Sequence, residues 1–275
     1  MKVIVTGGKG FIGHELVRQL IGKETITEII VIDNESYVNN TVKVHSNIKV
    51  SYHKFDINNS EIEILFKDVH TVFHLAALIS VPESNDFPIR YITTNIFGTI
   101  HLLEICKRQN INHFIFSSSC AVYGTSNIFS EESIIDPSKI SSIYALNKIH
   151  CEDYIRFYKS YFKVTNLRYF NVYGDLQDPN RPYSSAVSNF NKCIEQDTPF
   201  IIYGTGEQTR NFVSVENIAE FNLHVMEYSI TGTINVGDPN CKNLSIINLA
   251  KIMDSNREII FKETRIGDIQ DIIYT

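Results

Sequence analysis

From the N-terminus, short apolar runs rich in β-branched residues alternate with longer stretches of helical spacing. KVIVTG (2–7), EIIVID (28–33), KVSYHKFD (49–56), TVFHLAA (71–77), HFIFSSS (113–119) and VTNLRYF (164–170) read as strands. Helical patterns cover 11–22, 60–67, 88–109 and 143–161. Apolar runs flanked by helices on both sides point to strands buried on both faces, which predicts an α/β fold with a doubly wound parallel sheet. After about residue 175 Pro, Gly and Asn become frequent. Short strands are expected near 200–203, 211–215 and 233–236, with helices near 184–195, 216–228 and 245–253. The expected organisation is a larger domain over 1–175 and a smaller C-terminal lobe over 176–275, with some segments crossing between the two.

Composition narrows the class. The 275 residues are 43% hydrophobic and 20% charged, as in a soluble globular enzyme. A net charge of −6 speaks against nucleic acid as a partner. Five cysteines at 106, 120, 151, 193 and 241 lack paired or metal-type spacing, so reduced thiols and no metal site are expected. No apolar run is long enough for a membrane span, and the chain enters a strand at Lys2 without a leader pattern. The expected location is cytoplasmic.

The first chemical signal is Thr6-Gly7-Gly8-Lys9-Gly10-Phe11-Ile12-Gly13, between the first strand and first helix. Glycines spaced G-x-x-G-x-x-G serve a tight turn, close approach of backbone to a pyrophosphate, and packing of helix on strand. The phosphates would then meet N–H groups at a helix N-terminus. Asp33 ends the second strand 20 residues after Gly13. A carboxylate there accepts the ribose hydroxyls and repels a 2′-phosphate, favouring NAD over NADP. Asp56, at the end of the third strand, is placed either at the adenine edge or as a solvated strand-end residue.

The second signal is Tyr144-Ala-Leu-Asn-Lys148, an i,i+4 pair on one helix face. An ammonium beside a phenol, whose ordinary pKa is about 10, favours the phenolate and so makes a usable base. Ser119, 25 residues upstream at a strand end, is placed to hold a substrate oxygen while Tyr144 takes its proton.

Together these segments resemble the extended short-chain dehydrogenases of the NAD-dependent epimerase/dehydratase family. The resemblance runs through TGGKGFIG (6–13), HLAA (74–77), NIFGT (95–99), SSSCAVYG (117–124), RYFNVYG (168–174), QDPNRPYSS (177–185), YGTGEQTRNFVSVENIA (203–219), NVG (235–237) and RIGD (265–268). It implies a Rossmann-like fold whose smaller lobe binds a nucleotide sugar. It implies NAD held by Gly7, Gly10, Phe11, Ile12, Gly13, Asp33, Asn34, Asp56, Ile57, Leu75, Ala76, Ala77, Asn95, Tyr144 and Lys148. It also implies Ser119, Tyr144 and Lys148 as the catalytic set, and Ser119, Asn171, Arg210 and Arg265 on the substrate. Ile272, seven residues after Arg265, falls where related epimerases gate the hexose pocket. The resemblance further implies a homodimer through the helices at 88–109 and 143–161, with Leu102, Leu103, Ile149 and Ile155 as candidate contacts.

Departures from the pattern select among reactions. Related 4,6-dehydratases carry an Asp-Glu pair after the catalytic hydroxyl residue, and nucleotide-glucuronate decarboxylases a Glu at the second of those positions. Cys120 and Ala121 stand there instead. The remaining hydroxyl-Tyr-Lys set suits reversible oxidation at sugar C4, and QDPNRPYSS most resembles epimerases of UDP-N-acetylglucosamine or UDP-glucose. The alternatives are a dehydratase or decarboxylase of the same family, or a non-enzymatic NAD-binding regulator. The regulator reading arises because the sequence stops at Thr275, where the family usually continues, and because Asn211 replaces the more common Asp.

Overall fold

The computed structural model describes residues 1–37, 44–126, 129–179, 184–241, 243–264, 271, 272 and 274. Its strands are β1 (Lys2–Thr6), β2 (Glu28–Ile32), β3 (Val50–His53), β4 (Thr71–His74), β5 (His113–Ser119), β6 (Lys163–Tyr169), β7 (Asn171–Tyr173), β8 (Phe200–Tyr203), β9 (Thr209–Arg210), β10 (Phe212–Ser214), β11 (Gly232–Val236), β12 (Leu244–Ser245) and β13 (Ile259–Lys262). Its α-helices are α1 (Phe11–Ile21), α2 (Val81–Asp86), α3 (Pro88–Tyr91), α4 (Gly98–Arg108), α5 (Ile143–Phe157), α6 (Ala186–Glu195), α7 (Val215–Glu227) and α8 (Ile246–Met253).

Seven parallel strands form the main sheet in the order β11-β6-β5-β4-β1-β2-β3. Successive side chains of one strand enter opposite cores. Ile4 packs with Phe114, Leu102 and Ile155 on one face, while Val3 and Val5 pack with Leu16, Leu20, Ile218 and Leu223 on the other. Both faces being covered by helices, this is a Rossmann-like doubly wound sheet, and its strands are apolar at nearly every position for that reason.

The segments after 176 divide. Helix α7 buries Ile218 and Leu223 against α1 and the main sheet, and β11 pairs with β6, placing Ile234 opposite Leu167. Both therefore belong to the packing of the main sheet. What remains of the lobe is α6, α8, the pair β8–β13 and the short strands β9, β10 and β12, around a core that includes Phe190, Phe200, Ile202 and Leu249.

The helix expected over 88–109 is broken. It comprises α3, a π-helical turn over Ile92–Phe97, and α4. The wide turn coincides with Asn95, whose amide is buried and bonded to Leu78. The stretch at 60–67 is a 3₁₀ helix, Ser60–Phe66, and the one at 143–161 leaves α-helical geometry after Phe157. Leu102, Leu103 and Ile155 are fully buried against their own sheet, which removes them as contacts for a second copy. Ile149 is partly buried against another cluster, around Tyr123 and Phe170. No helix of the described residues is long and apolar enough to cross a membrane.

Candidate active site

The carboxyl ends of β1, β2, β4 and β5 open onto a cavity of about 390 Å³. Gly7, Gly10, Phe11, Ile12 and Gly13 form its floor. Gly7 turns at φ +69°, and a Cβ there would lie 2.7 Å from Ala76 N. A Cβ on Gly13 would lie 2.3 Å from Gly7 O, so only glycine lets α1 start this close to the strand end. The N-cap of α1 is Gly10, which has no side chain to cap the helix with. The start of α5 differs: Ser142 Oγ, Ser84 Oγ and Asn85 Oδ1 accept the N–H groups of Ala145, Tyr144 and Ile143. The glycine cradle and uncapped helix end thus suit a pyrophosphate, while the start of α5 is closed.

Asp33 points along the same wall. Its oxygens accept the N–H groups of Lys9 (3.0 Å) and Glu35 (2.8 Å), which fixes the carboxylate for ribose hydroxyls. Asp56 accepts from Asn34 Nδ2 at 2.8 Å and Asn58 N at 2.9 Å. Asn34, Ile57, Leu75, Ala76 and Ala77 also line the cavity. Asn95 does not. Its amide accepts Leu78 N–H and donates to Leu78 O, so it shapes the loop after β4 from behind.

Tyr144 and Lys148 line the far end with Ser117, Ser118 and Tyr169. Lys148 Nζ donates to Ser117 O at 2.6 Å and lies 4.6 Å from the Phe116 ring centroid and 5.8 Å from that of Tyr144. Burial lowers its pKa to about 8, against the opposing pull of Cys151 and Glu152. Near neutrality the ammonium is still present, one helical turn from the phenol.

Ser119 sits at the end of β5 beside this lining, outside the cavity walls, and its Oγ accepts Ala121 N–H at 3.1 Å. The remaining substrate candidates lie on the lobe side. Asn171 Oδ1 is buried without a hydrogen-bond partner among the described residues. Arg210, on β9, is near enough to oppose the burial that pushes the Cys120 thiol up to about 12. Ile272 is buried in a cluster with Cys120, Val122, Tyr123 and Phe170, and its N–H donates to Thr209 O at 3.0 Å. Arg265 lies outside the described residues.

Asn211 is fully buried, and its amide donates to Asp238 O (2.8 Å) and Cys241 O (2.7 Å) while accepting Asp238 N–H. A carboxylate has no hydrogens for those two carbonyls, so Asn suits this site where the family pattern more often has Asp.

Sequence reasoning missed the polar supports. His74 lies between Thr6 Oγ1 (2.8 Å) and Thr99 Oγ1 (2.9 Å). Thr99 donates its own proton to Asn95 O, so Nε2 of His74 must be the donor to Thr99. Burial, with Lys148 adding to it, lowers the His74 pKa to about 3 and keeps the ring neutral. Ser118 Oγ donates to Glu152 at 2.5 Å, and Glu152 takes a two-pronged ion pair from Arg168 at 2.7 and 3.0 Å. Arg168 continues to Tyr123 OH, which donates to Asn235 on β11. The i,i+4,i+8 series Tyr144, Lys148, Glu152 was a readable signal for this support.

Comparison with known proteins agrees with the geometry. A family model described as "NAD dependent epimerase/dehydratase family" matches residues 3–237. A solved UDP-N-acetylglucosamine 4-epimerase from Methanobrevibacter ruminantium M1, in complex with UDP-N-acetylmuramic acid, is 36% identical. The match covers all of this chain and 89% of that one, with a TM-score of 0.90. A UDP-glucose 4-epimerase from Thermotoga maritima, with UDP-glucose, is 31% identical over all of this chain and 90% of that one, TM-score 0.86. A UDP-glucuronic acid decarboxylase from Arabidopsis thaliana is 30% identical over 98% of this chain, which spans only 62% of that protein's length. The chain belongs to the NAD-dependent epimerase/dehydratase family.

Proposed function

We propose that the chain is a nucleotide-sugar 4-epimerase acting on UDP-N-acetylglucosamine or UDP-glucose. Among the family's reactions, one observation carries this choice: Tyr144 and Lys148 share the end of the cavity, and no carboxylic acid follows Ser119. Cys120 is buried and its thiol pushed up to about 12, and Ala121 has no titratable group. Neither residue can serve as the acid or base that a dehydration or decarboxylation needs.

Gly7, Gly10, Gly13 and Asp33 would hold NAD, which would supply reversible hydride acceptance at the sugar C4. Tyr144 takes the C4 hydroxyl proton as the 4-keto sugar forms and gives it back afterwards. Lys148, held by Ser117 O, keeps a positive charge near the phenol and favours its ionised form. Ser119 donates a hydrogen bond to the C4 oxygen, Asn171 Oδ1 offers an acceptor to the nucleotide, and Arg210 and Arg265 bind the diphosphate. Ile272 bounds the hexose side; Ile is smaller than Tyr and leaves space for an acetamido methyl group.

Purified protein incubated with UDP-N-acetylglucosamine and with UDP-glucose should yield the 4-epimers, resolved by NMR, with no loss of water or carbon dioxide. A 4-keto-6-deoxy product, or a pentose from UDP-glucuronate, would replace this reading with the dehydratase or decarboxylase one. No turnover with retained NAD would favour the regulator.

The protein is further proposed to be a cytoplasmic homodimer. Ile89, Phe97, Tyr154 and Phe157, on α3, the π turn and α5, are 75%, 57%, 44% and 69% exposed in the single chain, a combination that favours burial by a second copy. Light scattering at micromolar concentration should report twice the chain mass.

A further inference from the structure

Four charged residues cluster at the end of β2, where Asp33 faces the cavity; Lys9, Glu35 and Lys54 adjoin it without being part of the lining. Lys9 lies inside the glycine loop, and its backbone N–H donates to Asp33 Oδ2, so residue 9 stands directly beside the ribose-recognising carboxylate. Its ammonium is paired with Glu35 and lies 5.5 Å from the Tyr52 ring centroid. Lys54, just after β3, reaches the other Glu35 oxygen at 2.9 Å. Glu35 closes the ring by donating its backbone N–H to Asp33 Oδ1 at 2.8 Å. The cluster is formally neutral, with two carboxylates and two ammonium groups. Lys9 and Glu35 side chains are 19% and 27% exposed, so their pairing is screened less than a surface pair, whereas Lys54 at 69% is largely in water.

A 2′-phosphate carries nearly two negative charges at neutral pH and needs cations beside it. Lys9 and Lys54 are cations in the right neighbourhood. Both are bound by one carboxylate.

We propose that Glu35 is a cofactor-selectivity residue, which by holding Lys9 and Lys54 withholds the positive charge that a 2′-phosphate would require. Asp33 recognises the free ribose hydroxyls, and Glu35 silences the lysines that would otherwise offset Asp33's repulsion of NADP. Two carboxylates thus divide the work of excluding the phosphorylated cofactor. This inference rests on the dinucleotide reading of the cleft.

A purely structural role for Glu35 is the competing account, because the residue sits at φ +62°, a left-handed conformation, and its N–H orients Asp33. Glu35→Gln separates the two, since it keeps the backbone and shape and removes the charge. Protein is equilibrated with mixtures of NAD and NADP, and the bound nucleotides are quantified by chromatography. Wild type should take NAD. In Glu35→Gln the bound NADP:NAD ratio should rise by about tenfold, the size expected for one freed, partly buried charge-assisted contact. The rise should shrink as ionic strength increases, and adding Lys9→Met to Glu35→Gln should reverse it. An unchanged ratio in a folded Glu35→Gln protein overturns the proposal, as does a rise that Lys9→Met leaves intact. Equal weakening of both nucleotides would assign Glu35 to loop shape alone. Wild type that takes neither nucleotide would overturn the dinucleotide reading itself.

Discussion

The residues proposed to hold the cofactor and those proposed to hold the substrate are built on different supports. Gly7 and Asp33 directly follow the ends of parallel strands buried on both faces of the main sheet. Asn171, Arg210 and Ile272 stand on or beside two-stranded pieces only two or three residues long, β7–β10 and β9–β12. A strand end in a continuous sheet holds its side chain through many cooperative bonds, while a two-stranded piece relies on the few loops around it. In the proposed function the cofactor rests on the first kind of support, Tyr144 and Lys148 stand on α5 beside it, and the choice among sugars falls to the second.

Changes on the main-sheet side, including α5 packed against that sheet, should therefore be the more damaging. Tyr144→Phe should cut turnover by about 10³-fold while leaving NAD and nucleotide-sugar binding intact, because only the transferable proton is lost. Wild-type rates in single-turnover assays would end the mechanism proposed above. Glu152→Gln breaks a buried ion pair that also holds Ser118, and should cost about 3 kcal/mol in urea unfolding. On the substrate side, Asn211→Asp should cost about 2 kcal/mol, since two buried carbonyls lose their donor.

The pH response offers a sharper contrast. Lys148 has a folded pKa lowered by burial from 10.5 to about 8, so its charge is lost as pH rises through 8. kcat/KM should fall in that range, approaching tenfold per pH unit. Stability should move the other way, rising between about 8 and 10.5, because there the unfolded chain binds the proton that the folded chain does not. A flat rate profile from pH 7 to 9 would separate Lys148's charge from catalysis. The smallest effect is expected from Ile272→Tyr: kcat/KM for UDP-N-acetylglucosamine should drop about fivefold more than for UDP-glucose. Equal losses would mean that Ile272, buried with Cys120 and Phe170, serves only packing.

What was legible in the sequence follows the same division. Gly7, Gly10, Gly13, Asp33, Tyr144 and Lys148 were readable because local spacing on a strand end or helix face encodes them. Ser118 and Arg168 were not, since they meet Glu152 from 34 and 16 positions away and nothing local announces it; Glu152 itself continues the helical series of Tyr144 and Lys148. Asn95 was visible as part of a motif, but its engagement with Leu78 depends on a π turn that apolar periodicity does not register. Strand β11 was expected near 233–236, but its partner was not legible, because five residues carry no mark of which sheet edge they will join.

That strand also bears on how the protein is made. A ribosome releases residues in order, and β6 emerges long before Gly232–Val236. Until then one edge of the sheet, including Leu167 and Arg168, has no neighbouring strand, though more than half the chain is available to fold. The exposed edge is a template for another nascent chain. A nascent-chain series spanning the length at which Val236 leaves the ribosome should change abruptly in protease resistance, which makes β11 the step at which synthesis completes the seven-stranded sheet.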